Sequence, residues 1–206
     1  FGSALIQKKN AKAIDFFSVL YFNLAFSCFL YAILFIAAPY IAQFYGEGYE
    51  ILTPVLRVLG LRIIFSAVNS VQQAYVSKKM MFKKFFISTL SGTIFSAAVG
   101  IGMAYSGCGV WSLVAQNLVS TSVNTIVLTI IIKQKPRFIF SFASLKELFP
   151  FGAQILGTGL LISGYQEIQA LAVGKIYTSE TLAYYDRGKS WPALIVTNIS
   201  TSISSV

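Results

Sequence analysis

Residues 16–44 read FFSVLYFNLAFSCFLYAILFIAAPYIAQF, and none of these 29 side chains is charged. A helix rises 1.5 Å per residue, so about 20 apolar residues cross the roughly 30 Å hydrocarbon core of a bilayer. The stretch is longer than one crossing requires, which favours a helix that tilts or projects from the bilayer. It therefore predicts a chain that folds in lipid.

Five further apolar segments bring the number of predicted spans to six. They cover Phe16–Phe44, Leu52–Ser77, Phe85–Tyr105, Val110–Ile132, Leu148–Tyr177 and Leu182–Val206. Composition agrees, because 56% of the 206 residues are hydrophobic and 11% are charged, against about 25% charged in soluble domains. We predict an all-α fold, a polytopic transmembrane helical bundle. Residues 1–6 are predicted to end an earlier helix, so we interpret the chain as a fragment of a longer protein.

Basic residues are sorted to one side of the predicted spans. Eleven lie in alternate loops, and the opposite loops contain one, Lys175. The eleven are Lys8, Lys9, Lys12, Lys78, Lys79, Lys83, Lys84, Lys133, Lys135, Arg137 and Lys146. The positive-inside rule places these loops in the cytoplasm. The net charge of +9 is thereby explained by loops, and we expect no nucleic-acid partner.

Polar residues recur at helical spacing inside four spans. They are Arg62, Ser66, Ser70, Gln73 and Ser77; then Ser112, Gln116, Ser120 and Asn124 with Asn117 and Thr121 alongside; then Gln154, Thr158, Gln166 and Gln169; and finally Asp186, Ser190, Thr197 and Thr201. Lipid offers no hydrogen bonds, so such stripes face other helices or water. Two interpretations stay open, a wet polar cavity or contacts that only join neighbouring helices.

The third span has a small residue at every fourth position, which predicts a ridge for close helix packing. The ridge consists of Ser88, Gly92, Ser96, Gly100 and Ala104. Two other features concern structure alone. Pro150, at the first turn of the fifth span, and Pro192 in the sixth are helix-bending cues. Cys28 and Cys108 are predicted to be small buried hydrophobic residues.

A few cations lie at bilayer depth, where a charge is expensive and a functional role is the default hypothesis. Arg62 precedes Lys78 by 16 residues, about 24 Å along a helix, which places it in the outer half of the bilayer. Guanidinium suits phosphate through its planar fork. The simpler alternatives are side chains that snorkel to the interface, as for Arg57, or local ion pairs. The candidate cavity residues are Arg62, Gln73, Gln116, Asn124, Gln169 and Arg187.

Enzymatic motifs are missing from the sequence. Histidine does not occur, which disfavours zinc sites and Ser-His-Asp chemistry, and no Gly-rich phosphate loop is present. We therefore predict no catalytic residue, no metal and no cofactor.

Several motifs, in order along the chain, resemble those of the bacterial polysaccharide transporters, the lipopolysaccharide and exopolysaccharide flippases of the multidrug/oligosaccharidyl-lipid/polysaccharide superfamily. They are SVQQA at 70–74 with KKMMFKK at 78–84, GCGVWSLVAQ at 107–116, FPFG at 149–152, VGK at 173–175 and LAYYDR at 182–187. The most specific is GCGVWSLVAQ, which matches the pattern G-x-G-V-W-[AS]-L-V-x-Q. The resemblance extends over essentially the whole chain.

The resemblance implies an inner-membrane protein with 12–14 helices in two lobes. Residues 1–132 would hold the end of one helix and four spans of the N-terminal lobe. Residues 133–147 would be a basic cytoplasmic linker, and residues 148–206 the first two helices of the C-terminal lobe. It implies alternating-access transport of an undecaprenyl-pyrophosphate-linked oligosaccharide for surface polysaccharide biosynthesis, with lipid and other polysaccharide-assembly proteins as partners. Arg187 matches the family pattern, whereas Gln166 and Gln169 replace a charged pair that members often have.

Two alternatives remain. A multidrug or small-molecule antiporter of the same superfamily needs a buried carboxylate for coupling, and only Glu167 and Asp186 are available. A membrane-embedded glycan polymerase usually has a large external loop with catalytic residues, whereas the external loops here are short.

Overall fold

The computed structural model describes residues 2–8, 12–46, 48–132, 139–177 and 179–204. Within these ranges every regular element is a helix, which confirms the all-α prediction. The helices are α1 (Gly2–Gln7), α2 (Ala13–Tyr45), α3 (Leu52–Lys78), α4 (Phe82–Tyr105), α5 (Val110–Ile132), α6 (Phe142–Ile176) and α7 (Ser179–Ser204). Helix α1 agrees with the helix end predicted for residues 1–6.

Five helices, α2 to α6, are long and apolar enough to cross a membrane. Many of their large side chains point outward, for example Phe29 at 61% exposure and Ile36 at 66%. A protein in water would not expose so much apolar surface along whole helices, so the exposed faces are explained by lipid. The sixth predicted span is helical as α7, but among the described residues α7 is not one of the helices apolar enough to cross a membrane. The first half of α7 contains Glu180, Asp186, Arg187 and Lys189.

The fifth span begins earlier than predicted. Helix α6 starts at Phe142, so the last six residues of the predicted linker 133–147 are helical, while residues 133–138 lie outside the described residues. Pro150 consequently lies inside α6 and not in its first turn. The predicted position was wrong because residues 142–147 include Lys146 and Glu147, and a search for apolar runs stops at such charges.

The chain divides into two compact units, Phe1–Ile155 and Leu156–Val206. The division falls within α6. In the first unit α3 is central and packs against α1, α2, α4 and α5, while α4 and α5 form a second close pair. Successive spans alternate in direction. The start of α2 therefore lies at the same end of this unit as the C-terminal ends of α3 and α5, which adjoin the basic loops.

Glycines allow the close approach of two helix pairs in the first unit. A Cβ on Gly60 of α3 would lie 2.9 Å from side-chain atoms of Leu34 and Tyr31 on α2. A Cβ on Gly92 of α4 would lie 2.9 Å from the Ser120 carbonyl oxygen of α5. The predicted ridge on α4 is confirmed over four residues, Ser88, Gly92, Ser96 and Gly100, which are all buried, whereas Ala104 is exposed.

The start of α6 contributes to a buried cluster that also contains residues of α1, α2 and α3. Leu145 and Leu148 are 6% and 5% exposed, and Leu148 joins the buried cluster that includes Leu5, Phe16 and Val71. Van der Waals packing of these leucines therefore contributes to holding this segment.

An ion-pair cluster accompanies that packing. The Lys8 ammonium lies 3.2 Å from Asp15 Oδ1 and 2.7 Å from Glu147 Oε2. The bond to Glu147 raises the pKa of Lys8 above its ordinary value, burial opposes the rise, and Asp15 adds to it. Glu147 is 64% exposed, so its pairing contributes only about 0.2–1 kcal/mol, whereas Asp15 is buried and depends on its partners.

The surroundings of Lys78 and of the two cysteines differ from those expected from the sequence. Lys78 donates to the carbonyl oxygens of Leu5 and Lys8, so one lysine of the basic loops caps the end of α1. Cys28 and Cys108 are both exposed, and the prediction that they are buried was wrong. Cys28 lies on the outward face of α2, and Cys108 follows the turn that ends α4.

Candidate functional site

Arg62 joins α3 to α5. Its Nε donates to Thr121 Oγ1 at 3.2 Å, and its Nη1 donates to Asn117 Oδ1 at 3.3 Å. Guanidinium has five N–H donors, so these two bonds hold the group in place and leave three donors. The side chain is exposed and also borders a shallow, open groove of about 350 Å³ between α2 and α3. The groove is otherwise lined mainly by apolar residues, with Leu34, Leu56, Leu59, Gly60, Ile63 and Ser66.

Amides continue this row along the same two helices. Gln73 Nε2 donates to Asn69 Oδ1, and Asn69 Nδ2 donates to Asn124 Oδ1 at 3.3 Å. Asn69 is 7% exposed. We call six of the polar side chains along the contact of α3 with α5 the polar seam; Gln73 belongs to it through Asn69 on its own helix, and Gln72 and Thr129 form a further bond between the two helices. It consists of Arg62, Asn69, Gln73, Asn117, Thr121 and Asn124.

The predicted stripe on α3 divides between two neighbours. Arg62 and Gln73 belong to the polar seam, but Ser70 faces α2, where its Oγ accepts from Asn23 Nδ2 at 3.5 Å. Ser70 also donates to the Ala67 carbonyl oxygen. A spacing of three or four residues therefore identified one broad face, and two different helices cover it.

The stripe on α5 divides in the same manner. Gln116 packs against Gly100 of α4, since a Cβ there would lie 3.1–3.2 Å from its side-chain atoms. Asn124 touches both neighbours, with its Cβ near Gly92 of α4 and its Oδ1 bonded to Asn69 of α3. The structure thus brings Arg62, Gln73 and Asn124 together along the α3–α5 seam and places Gln116 in the α4–α5 contact.

The remaining candidates lie in the second unit. Arg187 is an exposed side chain on α7. Helix α6 passes through Gln169, whose side chain lies outside the described residues.

Three seam residues were absent from the predicted site. Asn69 could have been found, because it follows Arg62 by seven residues and precedes Gln73 by four, and so shares their face. Asn117 and Thr121 were noted beside the α5 stripe, but nothing in the sequence indicated that they contact Arg62.

The first unit therefore defines a class of protein: a multi-pass helical membrane protein with a guanidinium fixed among amides and a hydroxyl between two spans. The family model described as "Polysaccharide biosynthesis protein" matches residues 1–206, and the chain belongs to this family. The resemblance identified from the motifs is thereby confirmed.

Two curated proteins are similar to the chain. The teichuronic acid biosynthesis protein TuaB of Bacillus subtilis (strain 168) is 26% identical over 195 residues, which cover 90% of this chain and 38% of TuaB. The succinoglycan biosynthesis transport protein ExoT of Rhizobium meliloti (strain 1021) is 27% identical over 156 residues, 76% of this chain and 31% of ExoT. The chain thus spans roughly a third of each relative's length. No solved structure matches it.

Proposed function

We propose that the chain is part of an inner-membrane flippase that moves a lipid-linked pyrophosphate oligosaccharide outward by alternating access. The observation that carries this proposal is Arg62, whose guanidinium is held by Asn117 and Thr121 while its three other N–H donors have no hydrogen-bond partner among the described residues. The names of the relatives, a teichuronic acid biosynthesis protein and a succinoglycan biosynthesis transport protein, support a glycan cargo. The basic loops would face the cytoplasm.

The charge of Arg62 favours an anionic partner. Both ion pairs found in the described part of the chain involve Lys8, so no carboxylate there balances Arg62. A guanidinium at bilayer depth costs at least about 2.5–3.5 kcal/mol on insertion scales. A phosphate that reached it would regain part of that cost through charge-assisted hydrogen bonds. Arg187, which matches the family pattern, would contribute a second cation from α7.

The amides of the polar seam suit the sugar part of the substrate. Asn and Gln side chains both donate and accept hydrogen bonds, so they pair with hydroxyl groups of either orientation. Gln73 and Asn124 are half-buried and therefore reachable beside the buried Asn69. A cationic drug, the substrate expected of an antiporter, would be repelled by Arg62.

The test replaces Arg62 in the full-length protein and measures surface polysaccharide in a strain that lacks its own copy of the gene. We expect Arg62→Ala to reduce export at least about tenfold, equivalent to about 1.4 kcal/mol, and to accumulate lipid-linked oligosaccharide inside. Arg62→Lys should restore export only partly, because an ammonium lacks the planar fork.

Arg57 is the matched control for this experiment. It lies on the same helix, but its Nε donates to the Phe35 carbonyl oxygen at 3.3 Å and its guanidinium lies 4.1 Å from the Phe35 ring centroid. Arg57→Ala should therefore leave export near its normal level. Normal export by Arg62→Ala at equal expression would refute the proposed role, and drug resistance without any effect on polysaccharide would favour the antiporter.

A further inference from the structure

Residues 141–149 are joined to the rest of the first unit by contacts of three kinds. The Ser141 backbone N–H donates to Ser18 Oγ at 2.8 Å. Leu145 and Leu148 are buried, and the Phe149 ring meets the Phe22 ring edge-on with centroids 6.5 Å apart. These contacts occur at successive turns, so the whole segment is attached along its length.

The Lys8 ammonium adds a charge contact that links three pieces of chain. It joins the segment between α1 and α2 to Asp15 at the start of α2 and to Glu147 on α6. Asp15 Oδ2 also accepts from the Lys12 backbone N–H at 2.8 Å. Because Asp15 is 3% exposed, the orientation of Lys8 is set from the buried side, and Glu147 meets an ammonium that is already in position.

Beyond this segment the character of α6 changes. The compact first unit ends at Ile155. A Cβ added to Gly157, Gly159 or Gly164 would meet no described atom within 4 Å. These glycines therefore make no close packing contact in the described structure, unlike Gly60, Gly92 and Gly100.

We propose that residues 141–151 act as a fixed strap of the first unit, with Lys8 as a positioning residue, so that the strap stays attached during transport. This inference rests on the proposed function. It predicts that conformational change along α6 occurs beyond the strap, and it assigns residues 141–151 to the body formed by α1–α5.

A reversible disulfide tests the strap in the full-length protein. Ser18→Cys and Ser141→Cys are introduced together after Cys28, Cys108 and any other cysteine of the full-length protein are changed to Ala. We expect oxidation to remove two free thiols per chain, counted with a maleimide polymer after denaturation. Polysaccharide export should stay within about twofold of the reduced protein.

Each other outcome has a distinct meaning. If oxidation stops export and a reductant restores it, the strap must detach during transport and the proposal is wrong. If the disulfide does not form, residues 141–151 do not dock as described, which also overturns it. The single-cysteine variants control for oxidation, and absence of export by the unsubstituted full-length protein would instead count against the proposed function.

A second variant pair tests the positioning role of Lys8. Lys8→Met should lower the yield of the cross-link between positions 18 and 141 several-fold, and Glu147→Gln, which keeps a hydrogen-bond acceptor for Lys8, should lower it less. An unchanged yield in Lys8→Met would show that Lys8 does not position the strap.

Discussion

Replacing Gly92 by alanine should loosen the contact between α4 and α5. The new Cβ would lie 2.9 Å from the Ser120 carbonyl oxygen, 3.3 Å from Asn124 Cβ and 3.5 Å from the Asn124 backbone nitrogen. Two of these three atoms belong to the backbone of α5, so the clash cannot be relieved by rotating a side chain. The helices must separate, and overpacking of this kind typically costs about 1–3 kcal/mol.

Gly102 supplies the matched control on the same helix. A Cβ there would meet no described atom within 4 Å, so Gly102→Ala makes the same chemical change without the clash. Alanine is favoured over glycine in a helix by about 0.8–1.0 kcal/mol, and this gain applies to both variants. The stability difference between the two variants therefore isolates the packing cost, about 1–3 kcal/mol.

Thermal unfolding of the full-length protein in detergent measures that difference. A change of 1 kcal/mol shifts Tm by about 2–4 °C for 150–250 residues, so Gly92→Ala should melt several degrees below Gly102→Ala. Because the full-length protein is longer, the shift in Tm will be smaller, but it will have the same sign. Equal melting temperatures would refute the argument that the small-residue ridge sets the α4–α5 distance.

Three further outcomes are expected. Asn69→Leu should destabilise the protein by about 1–3 kcal/mol because it leaves Asn124 unpaired. In a melting assay the double variant Asn69→Leu/Asn124→Leu should recover part of that loss, and strictly additive losses would show that the two amides are uncoupled. Lys8→Met should lower the free energy of unfolding by about 3–5 kcal/mol because a buried carboxylate loses its cation, whereas Glu147→Gln should lower it by less than about 1 kcal/mol. The pKa of Lys8 in the folded protein is raised above 10.5, so the stabilisation by Lys8 is fully present at pH 7–9 and declines only as the pH rises through that pKa. If the stability difference between the two variants disappeared by pH 9, the pairing would be contradicted. Cys108 follows the turn opposite the basic loops and is exposed, so a membrane-impermeant maleimide should label it in spheroplasts before lysis; labelling only after lysis would reverse the proposed orientation.

Most helix boundaries could be predicted because they coincide with changes in hydropathy. Helix α5 has the predicted bounds, Val110–Ile132, since the preceding turn contains Gly107 and Gly109 at positive φ and an apolar run begins directly after it. The start of α6 was missed because residues 142–147 form an amphipathic segment. This part of α6 is stabilised by packing on another part of the chain, and such packing produces only a weak pattern in the local sequence.

The polar seam shows why only part of the site could be predicted. The spacing of Arg62 and Gln73 placed both on one face of a helix, and the chemistry of guanidinium and amides indicated a polar partner. The spacing of residues along one helix does not show which neighbouring helix each side chain will contact. Ser70 and Gln116 were therefore grouped with side chains that contact a different helix in the structure.

The sequence by itself determined the solvent and the helical class, because each depends on the composition of a continuous segment and on the thickness of a bilayer. The tertiary structure alone decided that α5 and not α2 receives Arg62, that Asn69 joins two helices, and that the start of α6 belongs with the first unit. Those outcomes depend on how helices rotate and approach one another, and the close approach at Gly92 and Gly100 is settled only when both surfaces are in place.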